Sequence, residues 1–454
     1  MKRPYHFAVP IFDRWLVHFP LHQVTALVDQ AAMQELLAPQ GSQSDRDGLL
    51  TSLRLDLTVP PANVPKPKDG AFDPNMLAIV TTRGCNINCV YCDFGGPTSK
   101  RVNMDPAIAV STIDWMADQL AARGRERFFL HLFGGEPLIA GDLVDIVVHR
   151  LRHACTAKGL KPFIDISTNG VMSLERAKWV GDFLDSVVLS FDGPPEFQNR
   201  NRPGINGTDT FMVVDRTARY LSSTKIELCL RTCVTRESVL CMPEITRWMI
   251  ESYRPSIINF EPLTENDLTA VTGLGAPDPF DYARMWMAST RIADGFGVHL
   301  VYSATESNAP RLSSCPVGSD AVVVSPDGSL NGCYLQPNDW LKRGMDMSLG
   351  RVSTEHGIEI QPDRAQDLRH MILDKPRCRG CICQWSCAGG CHVSNTYMNC
   401  AQNYSDFCVQ TRLITSCLLL EQLGESDLVD EFLLDTEAMQ RVVMNRRDVI
   451  GETR

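Results

Sequence analysis

Cys85, Cys89 and Cys92 stand in one short run, Cys85-Asn86-Ile87-Asn88-Cys89-Val90-Tyr91-Cys92, directly after the apolar stretch 77–82. No other feature narrows the possible folds as much, because three thiols within eight residues, just after an apolar run, can share one metal centre at the end of a strand. Three thiolates can hold three irons of a cubane iron–sulfur cluster and leave the fourth iron open to a small molecule. A zinc knuckle uses the same residue types but closes with a fourth Cys or His nearby. None follows before His131.

The rest of the composition fits an intracellular metal protein. A chain of 454 residues is too long for one ordinary core and suggests two or three domains. No segment reaches the roughly 18 uninterrupted apolar residues of a membrane span. The N-terminus begins with basic residues but is broken by Pro4, Pro10 and Asp13, so it does not read as a signal peptide. Seventeen cysteines without an export signal favour metal binding over disulfides, and a cytoplasmic location. A net charge of −10 argues against a general nucleic-acid binder.

From residue 76 short apolar runs alternate with longer amphipathic ones, the signature of repeated βα units. Strands are expected at 77–82, 128–133, 163–168, 187–192, 226–234 and 256–260. The helices between them open at Asp105-Pro106, Gly141-Asp142, Ser173, Thr208, Pro243 and Pro279, with capping residues or a first-turn proline. Such a parallel arrangement puts chemistry at the carboxyl ends of its strands, where the cysteine triplet lies. Before it, 5–18 reads as a β-hairpin, 21–37 as a helix, and 56–70 as a connector carrying Pro60, Pro61, Pro65 and Pro67. The last stretch, 409–446, reads as an amphipathic helix packed across the domain junction.

The triplet spacing, with Tyr91 before the last cysteine, resembles the radical S-adenosylmethionine (SAM) superfamily. Gly134-Gly135-Glu136-Pro137 stands at the end of the second strand, where that superfamily carries its GGEP motif. The resemblance implies that Cys85, Cys89 and Cys92 ligate a 4Fe–4S cluster. It also implies that Gly134, Gly135 and Glu136 receive the SAM ammonium group. Ser167-Thr168-Asn169-Gly170 and Ser190-Phe191-Asp192-Gly193 look like the family's strand ends facing the ribose and carboxylate. Asn169, Ser190, Asp192 and Arg202 are the cofactor-binding candidates there, Ser190 and Arg202 for the carboxylate. For Arg202 a plain surface role stays open, and Asn169 also suits a turn. Tyr91 and Phe94 are expected to shield the cluster edge. By the same resemblance SAM is cleaved reductively to a 5′-deoxyadenosyl radical that abstracts hydrogen from a substrate.

A second cysteine field begins at Cys315 and runs through Cys333, Cys378, Cys381, Cys387 and Cys391 to Cys408. This order resembles the SPASM extension of radical SAM enzymes, which holds two auxiliary 4Fe–4S clusters. Carried over, Cys315, Cys333 and Cys391 would ligate the first, and Cys378, Cys381, Cys387 and Cys408 the second. Some relatives have one more cysteine where this chain has Asn308, Ala309 and Pro310, so the first cluster could keep an open iron for substrate. Cys383 and Cys400 are spare and could replace an assumed ligand, and a zinc ribbon over Cys378–Cys391 stays an alternative. The strand 322–324 and the turn Pro326-Asp327-Gly328 fit the short hairpin of such a domain. Cys155, Cys229, Cys233, Cys241 and Cys417 read as buried small hydrophobes.

The expected chain is therefore α/β. It has an N-terminal segment (1–75), a partial (β/α)6 radical SAM barrel (76–305), a Cys-rich SPASM domain (306–410) and a C-terminal helical segment (411–454). SPASM enzymes mostly modify peptides or proteins, so the resemblance implies a peptide or protein substrate. A ribosomally made precursor receiving a cross-link or an oxidation is the leading expectation. Sulfatase-maturing relatives have an aspartate directly after the second SPASM cysteine. Tyr334 occupies that position, with Asp339 further on, which lowers the sulfatase reading and makes Tyr334 a catalytic candidate. A small-molecule radical SAM dehydrogenase and a non-catalytic iron–sulfur electron carrier are the other readings, although a pure carrier needs no SAM site. Residues 1–75 lack the three-helix pattern of a leader-binding winged helix, which leaves leader capture to a separate protein or the barrel rim. A flavodoxin or ferredoxin would supply the electron.

Overall fold

The computed structural model describes residues 6–37, 48, 51–53, 55, 61, 64–92, 94, 102–305, 309–373, 375–394 and 405–444. Asn308, Cys400 and most of the front of the proline-rich connector, Pro60 included, lie outside the described residues.

The N-terminal strands β1 (Phe7–Ile11), β2 (Arg14–Phe19) and β3 (Val24–Val28) form an antiparallel sheet, followed by α1 (Gln30–Leu37). The hairpin is as expected. The helix over 21–37 is not: its first half is β3, registered Trp15↔Val28 through Phe19↔Val24 on β2. Val24, Thr25 and Val28 are β-branched, and pairing with β2 outweighs their weak helical tendency.

The parallel strands are β4 (Leu77–Val80), β5 (Arg127–Phe133), β6 (Lys161–Thr168), β7 (Ser186–Ser190), β8 (Glu227–Val234), β9 (Ile257–Pro262) and β10 (His299–Val301). Between them run α2 (Pro106–Ala122), α3 (Leu143–Lys158), α4 (Leu174–Phe183), α5 (Pro195–Asn201), α6 (Phe211–Ser222), α7 (Met242–Tyr253), α8 (Asp267–Thr272) and α9 (Pro279–Gly295). All six expected strands are present, and β10 adds a seventh along β9. Asp105, Ser173 and Asp278 cap α2, α4 and α9 with side-chain acceptors. The helix expected at Thr208 starts at Phe211, because Asn199 Oδ1 accepts the backbone N–H groups of Thr210 and Phe211. A cap from a distant residue leaves no local sequence signal.

Alternation along the strands separates two faces. On β5, Phe128, Leu130 and Leu132 are fully buried in the main core, while Phe129, His131 and Phe133 are half-buried on the inner face. β6 repeats this with Ile164 and Ile166 in the core and Asp165 and Ser167 on the inner face.

The sheet does not stop at β4. β11 (Val322–Val324) pairs parallel to β4, and β12 (Ser329–Asn331), β13 (Ser348–Ser353) and β14 (Gly357–Ile360) extend it antiparallel. The cysteine-rich region therefore continues the barrel's own sheet. Two short helices, α10 (Pro337–Leu341) and α11 (Pro362–Met371), flank this extension.

The C-terminal segment is three helices rather than one: α12 (Asp406–Gln422), α13 (Ser426–Leu434) and α14 (Thr436–Met444). Gly424 takes φ +78° and ends the first, a conformation that favours glycine. α12 is buried almost all round and bridges α9 and the turn at Ile382–Gln384. Arg291 ties the helices to α9 through Glu421 at 2.7 Å and through Asp430. No helix among the described residues is long and apolar enough to cross a membrane.

Candidate functional site

The cysteine loop leaves β4 and is fastened on two sides. Asn88 N–H donates to Pro203 O (2.7 Å), Val90 N–H to Asn201 O (2.9 Å), and Asn266 Nδ2 to Tyr91 O (3.0 Å). These bonds come from the ends of α5 and α8, so the loop is shaped by distant parts of the barrel. Burial first, and the neighbouring thiols to a smaller extent, push the Cys85 thiol up to about 11 and Cys89 to about 12. Thiols that disfavour one another's ionisation need a cationic centre to become ligands. All three are free. No three His, Cys, Asp or Glu among the described residues are arranged to hold a single metal ion.

The GGEP turn is built against this loop. Gly135 N–H donates to Thr82 O at 3.0 Å and Glu136 N–H to Gly84 O at 2.9 Å. A Cβ at Gly135 would lie 2.2 Å from Gly84 O, and one at Gly134 would lie 2.6 Å from Thr82 O. Both glycines are thus required by the approach of the cysteine loop's own backbone. Glu136 is 1% exposed. Its carboxylate accepts from Thr168 Oγ1 (2.9 Å), Asn169 N–H (2.7 Å) and Leu138 N–H (3.1 Å). Burial nevertheless pushes this carboxyl up to about 7. Asn169 connects the turn to the thiols, its Nδ2 reaching Asn86 Oδ1 at 2.8 Å and Cys85 Sγ at 3.5 Å.

On the far side of the loop Asp192 gathers two of the other candidates, Arg202 and Tyr91. Its Oδ1 accepts Arg202 Nε at 2.9 Å and Cys233 N–H at 3.1 Å, and its Oδ2 accepts the Tyr91 hydroxyl at 2.9 Å. The Asp192 side chain is fully buried, so it orients its neighbours. Arg202 is 9% exposed, not a surface arginine. It stacks over the Tyr91 ring at 5.3 Å and points Nη1 toward Cys89 Sγ at 3.9 Å. Ser190 is the last residue of β7, half-buried.

Phe94 and Cys92 belong to one small apolar cluster with Phe133 and Tyr334. Tyr334 lies 4.8 Å from the Phe133 ring and edge-on to His131 at 5.6 Å. Arg83 Nη1 donates to Tyr334 O, and Gln336 Nε2 to Phe94 O at 3.0 Å. The residue after Cys333 is thereby in contact with the surroundings of the triplet.

The second field separates into the two groups expected. Cys315, Cys333 and Cys391 lie near enough to act on one another electrostatically, as do Cys378, Cys381, Cys387 and Cys408. A cavity of about 580 Å³ opens beside Cys315 and is lined also by Lys66, Lys68, Met76 and Phe129. Cys383 is buried in the second group with its thiol toward Thr411 O at 3.8 Å. Hydrogen bonds from Cys383 and buried Arg412 hold the Cys381 thiol below its usual value. Cys155, Cys229 and Cys417 are buried core residues, while Cys233 and Cys241 are half-buried.

The inner-face pair His131 and Asp165 was not singled out from the sequence. They are direct partners in the β5–β6 register, with Nδ1 and Oδ2 2.6 Å apart and Nε2 3.3 Å from Ser167 Oγ. Alternation on β5 and β6 is the signal that could have found them, since polar residues occur at the same register in two otherwise apolar strands.

Residues 79–248 match the family profile described as Radical SAM superfamily. Over 179 residues the chain is 28% identical to a cysteine-type anaerobic sulfatase-maturating enzyme of Clostridium perfringens, covering 39% of this chain and 48% of that one. It thus spans about half the length of that relative. The PqqA peptide cyclase of Gluconobacter oxydans is 28% identical over 269 residues, 58% of this chain and 70% of the other. The solved structure of native anSMEcpe with bound AdoMet superposes with a TM-score of 0.61 at 21% identity, covering 77% of this chain and 99% of that one. Residues 79–248 are thus a radical SAM domain, a family whose cofactors are a 4Fe–4S cluster and SAM. Thiols close enough to act on one another electrostatically, beside the tight glycine turn, fit such a pair in the chemistry of their donors.

Proposed function

We propose that this radical SAM protein is a maturase, using a radical derived from S-adenosylmethionine to modify a peptide or protein, with a ribosomally made precursor as the leading substrate. The observation that carries the reading is the contact at Tyr334. This side chain follows Cys333 of the second cysteine field, packs on Phe133, and belongs to the same small apolar cluster as Cys92 of the triplet. A carrier of electrons alone would have no use for the GGEP turn beside the triplet.

In this reading Cys85, Cys89 and Cys92 hold the SAM-binding cluster, and Gly134, Gly135 and Glu136 receive the amino end of the cofactor. Arg202, Ser190 and Asn169 face its carboxylate and ribose. A cluster held there would supply the one-electron chemistry that cleaves a carbon–sulfur bond of S-adenosylmethionine. The protein's own work is positional. Asp192 orients Tyr91 and Arg202, Glu136 fixes Thr168 and Asn169, and Phe94 and Phe133 keep water from the Cys92 side. Cys315, Cys333 and Cys391 would hold one auxiliary cluster, and Cys378, Cys381, Cys387 and Cys408 the other. The cavity beside Cys315 supports a substrate approach to the first. Tyr334 stands where it could meet substrate. An external flavodoxin or ferredoxin is the proposed reductant, and leader capture by a separate protein is compatible with the N-terminal sheet.

A second reading, maturation of a sulfatase, is favoured by the Clostridium perfringens relative and opposed by Tyr334 in place of an aspartate. The test pairs two readouts, 5′-deoxyadenosine by chromatography and mass change of a peptide by mass spectrometry. The peptides are short precursors encoded beside the gene and a sulfatase peptide carrying Cys. A mass change in a precursor peptide supports the first reading, and one confined to the sulfatase peptide supports the second. Cys333→Ala and Cys387→Ala should keep SAM cleavage and lose peptide product.

A further inference from the structure

Arg412 is the one guanidinium among the described residues that is both fully buried and hydrogen-bonded to a cysteine of the second group. It is 0% exposed. Its Nη1 donates to Cys381 Sγ at 3.3 Å and its Nη2 to Val442 O at 2.5 Å. It shares a helix face with Cys408, one turn earlier on α12, because residues i and i+4 lie over one another. The pocket that Cys378, Cys381, Cys387 and Cys408 surround is lined also by Arg412 and Arg377. Arg311 acts electrostatically on Cys387 and Arg377 on Cys408, but both are less buried.

The first group has a different setting. Cys315 and His392 share Ser313 Oγ, at 3.7 and 3.2 Å. Its nearby cation is Lys375, whose Nζ is committed to Leu312 O and Ala388 O and which acts on Cys378 as well. The two groups therefore differ in charge and in hydrogen bonding to sulfur.

Resting on the reading that the second group holds an iron–sulfur cluster, we propose that Arg412 sets the potential of that cluster, holding it above the value it would have without the guanidinium. An added electron is a negative charge, and a buried cation stabilises it more strongly than an exposed one because the surroundings screen little. Hydrogen bonds to the sulfurs act in the same direction. Arg412 is a positioning residue in this account: it forms no bond to iron and exchanges no proton. The governed event is the uptake of one electron from a reductant, and the result is a cluster fitted to accept electrons rather than to hold substrate.

The experiment uses the full chain, reconstituted anaerobically and titrated with dithionite while the clusters are followed by electron paramagnetic resonance. Parent protein is compared with Arg412→Lys, Arg412→Gln and Arg412→Met. In the neutral variants one cluster should show at least a tenfold lower reduced-to-oxidised ratio at fixed potential, a fall of about 59 mV for one electron. The Lys variant should recover most of it, and the other clusters should not move. An unmoved potential in a neutral variant that keeps its full iron overturns the proposal. Should both neutral variants lose one cluster's iron while the Lys variant keeps it, the charge retains the cluster and does not set its potential, which also overturns it. Parent protein lacking a third cluster refutes the underlying reading instead.

Discussion

Arg202 donates from Nε to Asp192 Oδ1 across 2.9 Å, and that carboxylate also takes the Tyr91 hydroxyl. The pair thereby locks the cysteine loop to the end of β7. Removing one partner of a buried ion pair leaves the other unpaired, at about 3–5 kcal/mol. Asp192→Ala should lower the unfolding free energy of the cluster-free protein by about that much in urea, and weaken iron retention at the triplet. A loss below about 1 kcal/mol, typical of an exposed pair, would show that the pair does not organise the loop.

Glu136 makes a different kind of contact. Its carboxylate already holds Thr168 Oγ1 and the Asn169 N–H, so its loss disturbs the turn as well as any cofactor contact. Glu136→Ala should weaken SAM binding by roughly ten- to a hundredfold, the equivalent of losing one charge-assisted hydrogen bond of about 1.5–3 kcal/mol. Equilibrium binding to the reconstituted protein reads this directly. Unchanged affinity would remove Glu136 from the SAM site and leave the cluster assignment standing.

Three cysteine groups imply about twelve irons and twelve sulfides per chain. Replacing Cys85, Cys89 and Cys92 together with Ala should remove about four of each and spare the others. Stoichiometric zinc without sulfide would mean that the thiols serve a zinc structure.

His18 gives the N-terminal sheet an acid limit. Burial lowers its imidazole to about 4 while it is bonded to Thr25 Oγ1 at 2.9 Å. The neutral form is favoured in the folded state, so the stability it lends is present above the unfolded value near 6.5 and is lost as pH falls toward 4. The total is about 3 kcal/mol. Comparing His18→Gln with the parent across that range by urea unfolding should show the variant losing less on acidification. Parallel curves would contradict the assignment.

The barrel was legible because its signals are local. The runs 77–82 and 163–168, the caps at Asp105 and Ser173, and the triplet all announce themselves within a few residues. What the sequence did not disclose depends on distant partners. β3 looked helical because only pairing with β2 makes it a strand, and α6 starts late because Asn199 supplies its cap. Gly424 was a visible stop inside 409–446 that amphipathic periodicity concealed. Arg202 read equally well as a surface residue until Asp192 stood beside it. His131 and Asp165 carry no motif and become a pair only through the register of β5 on β6.

If the proposed function holds, the triplet and the GGEP turn form a SAM-cleaving centre. Its most direct measurement is the yield of 5′-deoxyadenosine and methionine from SAM when the anaerobically reconstituted, reduced protein is incubated without peptide. Both products should form slowly and in equal amounts, and neither should form in Cys89→Ala even where the auxiliary clusters are retained. Intact SAM in the presence of a fully loaded, reduced parent protein, or cleavage that persists in Cys89→Ala, would contradict the proposed function.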